Sequence, residues 1–258
     1  MIRLIITGAA GKMGKAVFNI ISQDKGFEIT GLVERKGHPL AGTDEPGTHI
    51  KIRDDIEEVI DNGDVIIDFT EPVSSMEHLR LAREHKKAIV IGTTGFSNED
   101  SARIMEVKDT RVVFSPNMSI GMNLMFDLVD RAVRILKDNF DIEIMEMHHK
   151  WKKDAPSGTA LRLKDIIEQT DVARSWKEVY GRQGITGERK KDEMGILALR
   201  GGDIIGEHTI FFAGTGERLE MIHRAYSRDN FARGALIAAR WLINQPNGVY
   251  TMRDVLCL

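Results

Sequence analysis

Short, uniformly apolar runs alternate with amphipathic stretches along the first half of the chain. The apolar runs are Ile2–Ile6, Ile29–Val33, Val65–Phe69, Ala88–Ile91 and Val112–Phe114. The stretches with helical spacing between them are Lys12–Ser22, Ile56–Ile60, Met76–Glu84 and Ser101–Val107. Strands that are apolar throughout are buried on both faces, so this pattern predicts a parallel sheet covered by helices on each side. Because strand crossovers are right-handed, we expect a doubly wound α/β domain.

The pattern changes near residue 120, after which strands follow one another more closely. The predicted helices of this part are Met122–Leu136, one that begins after Pro156–Thr159, and Asn230–Leu242. The predicted strands lie near Ile142–Met147, Ile196–Leu199, Ile204–Phe212 and Arg218–Arg224. We expect the two strands on either side of Arg200–Asp203 to pair with each other. Residues 181–195 are polar and rich in glycine, which predicts a long loop.

These elements predict two domains. Adjacent strands with few helices are typical of an α+β unit, and the last helix is apolar enough to pack back on the first domain. We therefore expect residues 1–119 and 229–258 to form the doubly wound domain, and residues 120–228 to form the α+β domain.

Composition and charge exclude several kinds of function. The 258 residues include 36 Lys and Arg against 39 Asp and Glu, a net charge of −3, so no global basic field attracts nucleic acid or an anionic membrane. Apolar residues nowhere run together over the ~18 positions that a membrane-spanning helix needs. The only cysteine, Cys257, allows neither an internal disulfide nor a cysteine-based zinc site. We expect a cytoplasmic protein.

A glycine-rich segment directly follows the first predicted strand. Its sequence is Gly8-Ala9-Ala10-Gly11-Lys12-Met13-Gly14, a GxxGxxG spacing between a strand and a helix. Such a loop turns tightly, brings the backbone close to a pyrophosphate and lets the helix pack on the strand, while the helix N-terminus attracts the phosphates. The segment predicts a Rossmann-like dinucleotide site. A tight turn without a ligand is the alternative, and Lys12 alone fits a solvated lysine equally well.

The second predicted strand ends in two residues of opposite charge. Glu34 can accept hydrogen bonds from the adenosine ribose hydroxyls, which favours NAD. Arg35 can pair with a 2′-phosphate, which favours NADP. Because both are present, the sequence predicts that either NADH or NADPH is used. A charged surface residue at a strand end is the alternative interpretation of each.

Three later segments occupy strand ends, where doubly wound sheets bind their ligands. They are Asp68-Phe69-Thr70, Gly92-Thr93-Thr94-Gly95 and Ser115-Pro116-Asn117-Met118. We expect the glycines at 92 and 95 to let the backbone approach the nicotinamide ribose, and the Asn117 amide to hold the carboxamide. A plain turn would also favour glycine at those two positions.

Residues 146–160 contain the densest group of candidate catalytic side chains in the chain. Their sequence is EMHHKWKKDAPSGTA, with two histidines and three lysines directly before a helix start. Pro156 near the first helical position and Ser157 as a cap mark that start, so the amide groups of Gly158 and Thr159 are expected to form an anion site. Imidazole and ammonium groups beside it are candidate general acids. The segment predicts proton transfer to a substrate that carries a carboxylate.

Simpler interpretations apply to part of this segment. His148 and His149 point in opposite directions if they lie on a strand, so no metal site shared by the two is expected. A solvated charge run explains two of the three lysines between 150 and 153, and it also explains Arg189–Lys191.

Taken together, these motifs resemble the 4-hydroxy-tetrahydrodipicolinate reductase family of bacterial lysine biosynthesis, also called dihydrodipicolinate reductase. The resemblance covers nearly the whole chain. The segments that carry it are GAAGKMG at 8–14, Glu34-Arg35, DFT at 68–70, GTTG at 92–95, HHKWKKDAPSGTA at 148–160, LRGGDIIGEH at 199–208, GERLE at 216–220 and MRDVL at 252–256. The motif at 148–160 is very specific, and no residue in it departs from the family pattern.

The resemblance implies an oxidoreductase that uses NADH or NADPH to reduce a cyclic unsaturated dicarboxylate to tetrahydrodipicolinate, with loss of water, on the route to diaminopimelate and lysine. It also implies a second domain that binds the substrate and forms a homotetramer through its sheet. His148 is the implied acid/base residue and Lys152 the implied proton donor, and His149, Gly158 and Thr159 are implied substrate contacts. The implied cofactor contacts are Gly8, Ala9, Ala10, Gly11, Lys12, Met13, Glu34, Arg35, Gly92, Thr93, Thr94, Ser115, Pro116, Asn117 and Met118.

Three other functions compete with this one on the sequence. Another nucleotide-dependent reductase, such as an imine-reducing amino-acid dehydrogenase, would share the first domain but has no evident need for the PSGTA turn. A regulator that senses NAD(P) and switches a partner would have little use for clustered proton donors. An aldehyde dehydrogenase of the aspartate-semialdehyde type needs a cysteine at its active site, and Cys257 in the terminal tail does not fit.

Overall fold

The structure of the protein, a computed structural model, describes all 258 residues as two units. The first comprises residues 1–120 and 228–258, and the second comprises residues 121–227. None of the helices has the length and apolar character needed to cross a membrane. Strands and helices are numbered below in chain order.

The first unit is built on a parallel sheet of seven strands. Its elements are β1 (Ile2–Thr7), α1 (Lys12–Ile21), β2 (Phe27–Val33), β3 (Ile52–Arg53), β4 (Val65–Asp68), α2 (Pro72–Glu84), β5 (Ala88–Ile91), α3 (Asn98–Met105), β6 (Arg111–Phe114), α6 (Asp229–Leu242), β12 (Gly248–Tyr250) and α7 (Met252–Val255). The strand order is β12-β6-β5-β4-β1-β2-β3, and every pair is parallel. The order reverses direction beside β1, as in doubly wound sheets.

Two apolar cores, one on each face of the sheet, explain why the strands are apolar throughout. Leu4 and Ile6 of β1 belong to the core formed with α1 and α6. Ile5, between them, belongs to the core that contains Leu79 of α2 and Ile104 of α3. Because successive side chains in a strand point to opposite faces, both sets must be apolar. The predicted sheet with two covered faces is confirmed.

One predicted helix of this unit is wrong. The segment Ile56–Ile60 forms two single 3₁₀ turns, Ile56–Glu58 and Ile60–Asn62. The Asp55 side chain caps the first by accepting a hydrogen bond from the Glu57 amide at 2.9 Å. Five residues are too few for the apolar spacing to distinguish a short turn from a regular helix. The strands β3 and β12 are missed for the same reason, since each is only two or three residues long.

The second unit has a mixed sheet of five strands with two long helices. Its elements are α4 (Ile120–Leu136), β7 (Asp141–His148), α5 (Gly158–Thr170), β8 (Lys177–Val179), β9 (Glu193–Arg200), β10 (Gly206–Ala213) and β11 (Arg218–Ala225). The strand order is β11-β10-β7-β9-β8. The helices α4 and α5 pack through Met122, Val129 and Leu163 on the sheet residues Ile144 and Phe212.

The predicted pairing of the strands on either side of Arg200–Asp203 is wrong. The central strand β7 lies between them, parallel to β9 and antiparallel to β10. The connection passes over the carboxyl end of β7, where the Gly201 amide donates to the His148 carbonyl at 2.9 Å and the Lys150 amide donates to the Gly202 carbonyl at 3.2 Å. The predicted loop at 181–195 is also too long, because β9 begins at Glu193.

Candidate active site

A cavity of about 310 Å3 lies at the carboxyl ends of β1, β2 and β4 in the first unit. Four of the predicted cofactor residues line it, namely Gly8, Gly11, Glu34 and Arg35. The other wall comes from the segment after β4 and the start of α2, and consists of Phe69, Thr70, Glu71, Ser74 and His78. The structure therefore brings the glycine loop and the Glu34–Arg35 pair to one pocket.

The glycine loop makes the tight turn that its spacing predicts. Gly8 has φ +67°, a left-handed conformation that glycine adopts readily. The Gly11 amide donates to the Gly8 carbonyl at 2.9 Å. A Cβ atom on Gly14 would lie 2.3 Å from the Gly8 carbonyl oxygen, so only glycine lets α1 pack this closely on the loop. The loop delivers the N-terminus of α1, with exposed Gly11 and Lys12, to the pocket side of the sheet.

Glu34 connects the end of β2 to this loop. Its Oε1 accepts a hydrogen bond from the Ala10 amide at 2.7 Å, and its Oε2 accepts one from the Arg35 amide at 3.3 Å. The carboxylate therefore stabilises the loop in addition to facing the cavity. The Arg35 side chain is exposed.

A buried carboxylate organises the opposite wall of the cavity. Asp68 is fully buried at the end of β4. It accepts hydrogen bonds from the Thr70 hydroxyl at 2.6 Å and the Thr93 hydroxyl at 3.2 Å, and it pairs with His78 Nδ1 at 2.8 Å. Burial opposes ionisation, but His78 and the Thr70 hydroxyl outweigh it and lower the pKa of Asp68. The charge holds α2 and the ends of β4 and β5 together, which is a role that the sequence does not reveal for His78.

The other predicted cofactor residues lie outside the cavity lining. Those at strand ends are Gly92, Thr93, Thr94, Ser115, Pro116, Asn117 and Met118, and those in the glycine loop are Ala9, Ala10, Lys12 and Met13. A Cβ atom on Gly92 would lie 2.1 Å from the Phe69 ring, so packing of that ring also requires glycine here. The Ser115 hydroxyl donates to the Asn117 carbonyl at 2.9 Å, which fixes the turn after β6.

In the second unit, one face of the sheet changes from apolar to polar towards the carboxyl end of β7. Ile142 and Ile144 lie in the core on this face. Cross-strand pairing puts five polar residues next to them, namely Glu146 and His148 of β7, Arg200 of β9, His208 of β10 and His223 of β11. Titratable groups gathered at one end of a buried face are typical of a functional site.

Glu146 is the centre of this cluster. Its carboxylate is fully buried and accepts hydrogen bonds from His148 Nδ1 at 2.6 Å, from two nitrogens of Arg200 at 2.8 Å each, and from the Ser157 amide at 3.0 Å. Burial opposes ionisation, but the bonds from His148 and Arg200 outweigh it and lower the pKa of Glu146 to about 2. An ionised Glu146 fixes the proton of His148 on Nδ1 and leaves Nε2 as the reactive nitrogen.

His208 is a neutral, buried neighbour of His148. Their rings lie 5.2 Å apart in a T-shaped arrangement. Burial first, and the nearby His148 second, lower the pKa of His208 to about 3. Its Nε2 lies 3.0 Å from the Ser157 hydroxyl, which itself accepts from the Ala160 amide at 3.2 Å.

The loop after β7 supplies the predicted lysine. Lys152 is half-buried, and its Nζ donates to the Asp154 carboxylate at 2.9 Å. Lys150 and Lys153 are exposed, and Lys150 lies over the Trp151 ring at 5.0 Å. His149 is half-buried beside the same ring, with the ring centres 5.7 Å apart.

The helix start lies at the end of this loop. Ser157 is the cap of α5, while Gly158 and Thr159 form its first turn. Gly158 is exposed and Thr159 is half-buried. Pro156 precedes the cap, so its predicted place near the first helical position needs correction by two residues. Because the Glu146 carboxylate bonds to both His148 and the Ser157 amide, it holds His148 and the start of α5 in place together.

Sequence reasoning misses three members of this cluster, Arg200, His208 and His223. Arg200 and His208 lie in the LRGGDIIGEH segment, but only the pairing of β9 and β10 with β7 places them beside Glu146 and His148, and only the pairing of β11 with β10 adds His223. Gly206 is missed as well, because a Cβ atom there would lie 3.0 Å from His148 Nε2. The chain has no group of three or more His, Cys, Asp or Glu residues arranged to hold a metal ion.

Family models match both halves of the chain. One described as the N-terminus of dihydrodipicolinate reductase matches residues 2–118, and one described as its C-terminus matches residues 121–256. A 4-hydroxy-tetrahydrodipicolinate reductase from Syntrophus aciditrophicus (strain SB) is 48% identical over 265 residues, which cover 99% of this chain and 98% of the relative. Another from Geotalea uraniireducens (strain Rf4) is 45% identical over 267 residues and is covered completely, as is this chain.

Solved structures show the same fold. A dipicolinate-bound dihydrodipicolinate reductase from Paenisporosarcina sp. TG-14 has a TM-score of 0.77 at 24% identity over 98% of both chains. An amine dehydrogenase from Mycobacterium smegmatis has a TM-score of 0.59 at 14% identity, over 97% of this chain and 95% of the other. The family models span nearly all residues, and the relatives share almost half of them over the full length. The chain therefore belongs to the dihydrodipicolinate reductase family and is an oxidoreductase that uses a nicotinamide cofactor.

Proposed function

We propose that this protein reduces 4-hydroxy-tetrahydrodipicolinate to tetrahydrodipicolinate and water, with NADH or NADPH as the reductant. The observation that carries the proposal is the cluster in the second unit, where residues 148–160 supply an imidazole, an ammonium group and a helix start around the buried carboxylate of Glu146. A cyclic dicarboxylate that must gain a proton is the substrate class that suits these groups.

The first unit fits a dinucleotide. The left-handed Gly8 and the close packing of Gly14 on the loop form a tight turn that leads into the start of α1, and the N-terminus of a helix after such a turn suits a pyrophosphate. When bound there, the dihydronicotinamide supplies a hydride. We assign cofactor binding to Gly8–Met13, Glu34, Arg35, Gly92–Thr94 and Ser115–Met118.

The surroundings of Glu34 and Arg35 support the use of both cofactors. Each carboxylate oxygen of Glu34 accepts one backbone amide, from Ala10 or from Arg35, and each keeps a second lone pair that can accept from a ribose hydroxyl. Arg35 is exposed at the same cavity and can turn towards a 2′-phosphate. Glu34 therefore suits the ribose hydroxyls of NADH, and Arg35 suits the 2′-phosphate of NADPH.

Substrate binding falls to the start of α5 and to His149. The first amide groups of a helix and its dipole favour an anion, and the exposed Gly158 leaves that end of α5 open. The related structure from Paenisporosarcina holds dipicolinate, an aromatic analogue of such a substrate. We assign contacts with one substrate carboxylate to Gly158 and Thr159.

Lys152 is assigned as the proton donor and His148 as the acid/base residue. Loss of water leaves a carbon–carbon double bond conjugated with the ring imine, and reduction adds a hydride to one carbon and a proton to the other. The ammonium of Lys152 can deliver that proton from Nζ, and His148 can exchange protons at Nε2, because Glu146 occupies its Nδ1. General acid catalysis of this kind typically contributes about 10²–10⁴-fold.

The second face of the mixed sheet supports a homo-oligomer, which we propose to be a tetramer. Cross-strand pairing puts these residues on the face opposite α4 and α5: Met145, Met147, Leu197, Leu199, Phe211 and Ile222. Leu199 and Ile222 are 42% and 47% exposed. A sheet face with exposed apolar side chains is typical of an interface between subunits.

The test is a coupled assay in which dihydrodipicolinate synthase generates the substrate and the absorbance of NADH or NADPH is followed. We expect oxidation of both cofactors that depends on the synthase. A hundredfold preference for one cofactor would contradict shared use. Absence of oxidation with either cofactor would refute the proposed function and favour a different dehydrogenase or a cofactor-sensing regulator.

A further inference from the structure

Arg200 lies where it can control both proton-transfer groups, although it is not one of them. It is the last residue of β9 and pairs across the sheet with His148 of β7. Its guanidinium makes four hydrogen bonds, one with the carbonyl of the neighbouring Leu199 and three with two other segments of the chain. One of these segments leads to His148 and the other to Lys152.

The first connection is a two-pronged ion pair with Glu146. Nη1 lies 2.8 Å from Oε2, and Nη2 lies 2.8 Å from Oε1. The same Oε2 accepts from His148 Nδ1 at 2.6 Å. Because Glu146 is fully buried, its negative charge requires a cation close by. Arg200 supplies that cation and leaves the hydrogen bond between Glu146 and His148 intact.

The second connection reaches the loop that carries Lys152. Nη2 donates to the backbone carbonyl of Asp154 at 2.6 Å, and the Asp154 carboxylate holds Lys152 Nζ at 2.9 Å. Hydrogen bonds therefore connect the imidazole, the Glu146 carboxylate and the guanidinium, and Asp154 links the guanidinium to the ammonium group by accepting from one at its backbone and from the other at its side chain. Only the planar fork of arginine can make the paired contact and the carbonyl contact together, since a lysine has a single point charge.

We propose that Arg200 is a positioning residue that fixes the distance between the two proton-transfer groups, His148 and Lys152. The inference rests on the proposed function, in which both groups act on one substrate. Loss of Arg200 would leave the Lys152 loop free to shift, and a shift of about 1 Å can cost a hundredfold in rate. Cofactor binding, which belongs to the other unit, would not change.

The test compares Arg200→Ala and Arg200→Lys with Arg134→Ala, which removes an exposed guanidinium from α4 of the same unit. We expect both Arg200 variants to lose about a hundredfold in kcat, with KM for NADH changed by less than about twofold. Millimolar guanidinium ion, far below denaturing concentrations, should restore part of the activity of Arg200→Ala but not that of Lys152→Ala. Equal kcat in wild type and Arg200→Ala would overturn the proposal.

A double-mutant cycle shows whether Arg200 acts through Lys152. If it does, Arg200→Ala should cost less than about threefold in a Lys152→Ala background, because the group that it positions is absent. The same hundredfold loss in both backgrounds would show that Arg200 acts independently of Lys152 and would overturn the proposed role.

Amide hydrogen exchange separates this inference from the proposed function. Arg200→Ala should accelerate exchange in residues 150–156, whereas Arg134→Ala should not, whether or not the wild type turns over the substrate. Unchanged exchange in that segment refutes the positioning role. A wild type without reductase activity, combined with accelerated exchange in the variant, refutes the proposed function alone.

Discussion

Among the three lysines after His149, only Lys152 forms an ion pair. Its Nζ pairs with Asp154, whereas Lys153 is exposed and has no ion pair. We expect Lys152→Ala to lower kcat by at least about a hundredfold, because a positioned general acid contributes about 10²–10⁴-fold. The Kd of NADPH, measured by fluorescence titration, should hardly change.

Lys153→Ala is the matched control for this experiment. It removes a lysine of the same charge run, and its kcat should stay close to that of the wild type. Wild-type turnover in Lys152→Ala would refute Lys152 as the donor. An equal loss in both variants would mean that the net positive charge of the segment, rather than one ammonium group, is what matters.

His208 makes folding stability depend on pH. The groups that act on it are Glu146 and His148 of β7, His223 of β11 and Lys152. Its pKa is about 3 when folded and 6.5 when unfolded, so below pH 6.5 the unfolded chain binds the extra proton. The contribution of His208 to the free energy of unfolding is therefore fully present above pH 6.5. Below that pH it falls on acidification by up to ~1.4 kcal/mol per pH unit.

Urea unfolding between pH 6.5 and 5.0 measures this dependence, in a range above the titration of Glu146. We expect His208→Gln to flatten the slope of unfolding free energy against pH, whatever its effect on absolute stability. The exposed His49→Gln provides the control and should leave the slope as in the wild type. Identical slopes in the wild type and His208→Gln would show that His208 is not buried as a neutral imidazole.

At the level of elements, the glycine loop and α1 form one packed unit. A Cβ atom on Gly14 would lie 2.3 Å from the Gly8 carbonyl and 2.6 Å from Ala9 Cα, and neither backbone atom can move without shifting the loop. We expect Gly14→Ala to raise the Kd of NADH at least tenfold and to cost about 1–3 kcal/mol of stability, as overpacking does. Fluorescence titration and urea unfolding measure the two effects.

Two comparisons make the Gly14 experiment specific. Asn19→Ala, on the exposed side of α1, should bind NADH as the wild type does. Binding of dipicolinate, which we assign to the second unit, should be unaffected in both variants. Normal NADH affinity in Gly14→Ala would mean that α1 can move away without disturbing the cofactor site.

In the mixed sheet, β7 comes first along the chain but lies in the centre, between β10 and β9. Burial alternates along its whole length, but the sequence shows this only as far as Ile144, because the buried position 146 holds a glutamate and the less buried positions 145 and 147 hold methionines. The register of a strand follows from such alternation, but its neighbours do not. The polar end of the sheet exists only because β9 and β10 enclose β7.

At the level of the whole molecule, the exposed apolar side chains on the second face of the mixed sheet predict self-association. Leu197, 36% exposed, lies on that face. We expect the wild type to sediment as a tetramer and Leu197→Glu to sediment as a smaller species, because the interface would have to bury an unpaired charge. Sedimentation velocity gives both masses.

Ile135→Glu is the control for assembly. Ile135 is 78% exposed on α4 and does not belong to the sheet face, so this variant should remain a tetramer. A monomeric wild type at micromolar concentration would contradict the proposed assembly. Dissociation of both variants would place the interface elsewhere.

Much of this protein could be inferred from local patterns. The five longer strands of the first unit agree with the predicted runs within two residues, because a strand buried on both faces must be apolar at every position. The glycine loop could be recognised because its constraints act between neighbours along the chain, as the contact of Gly14 with Gly8 shows. The cap at Ser157 is equally local, since its hydroxyl binds an amide three residues later.

The sequence by itself determined the fold of the first unit, the glycine loop and the histidine–lysine segment before α5, since each depends on residues close together in the chain. Only the tertiary structure decided that β7 is central in its sheet, that Arg200 and His208 flank Glu146, and that Asp68 binds His78. These contacts join residues that are far apart in the chain or in neighbouring strands. A buried charge selects its partners by distance in space, which the spacing of residues along a chain does not encode.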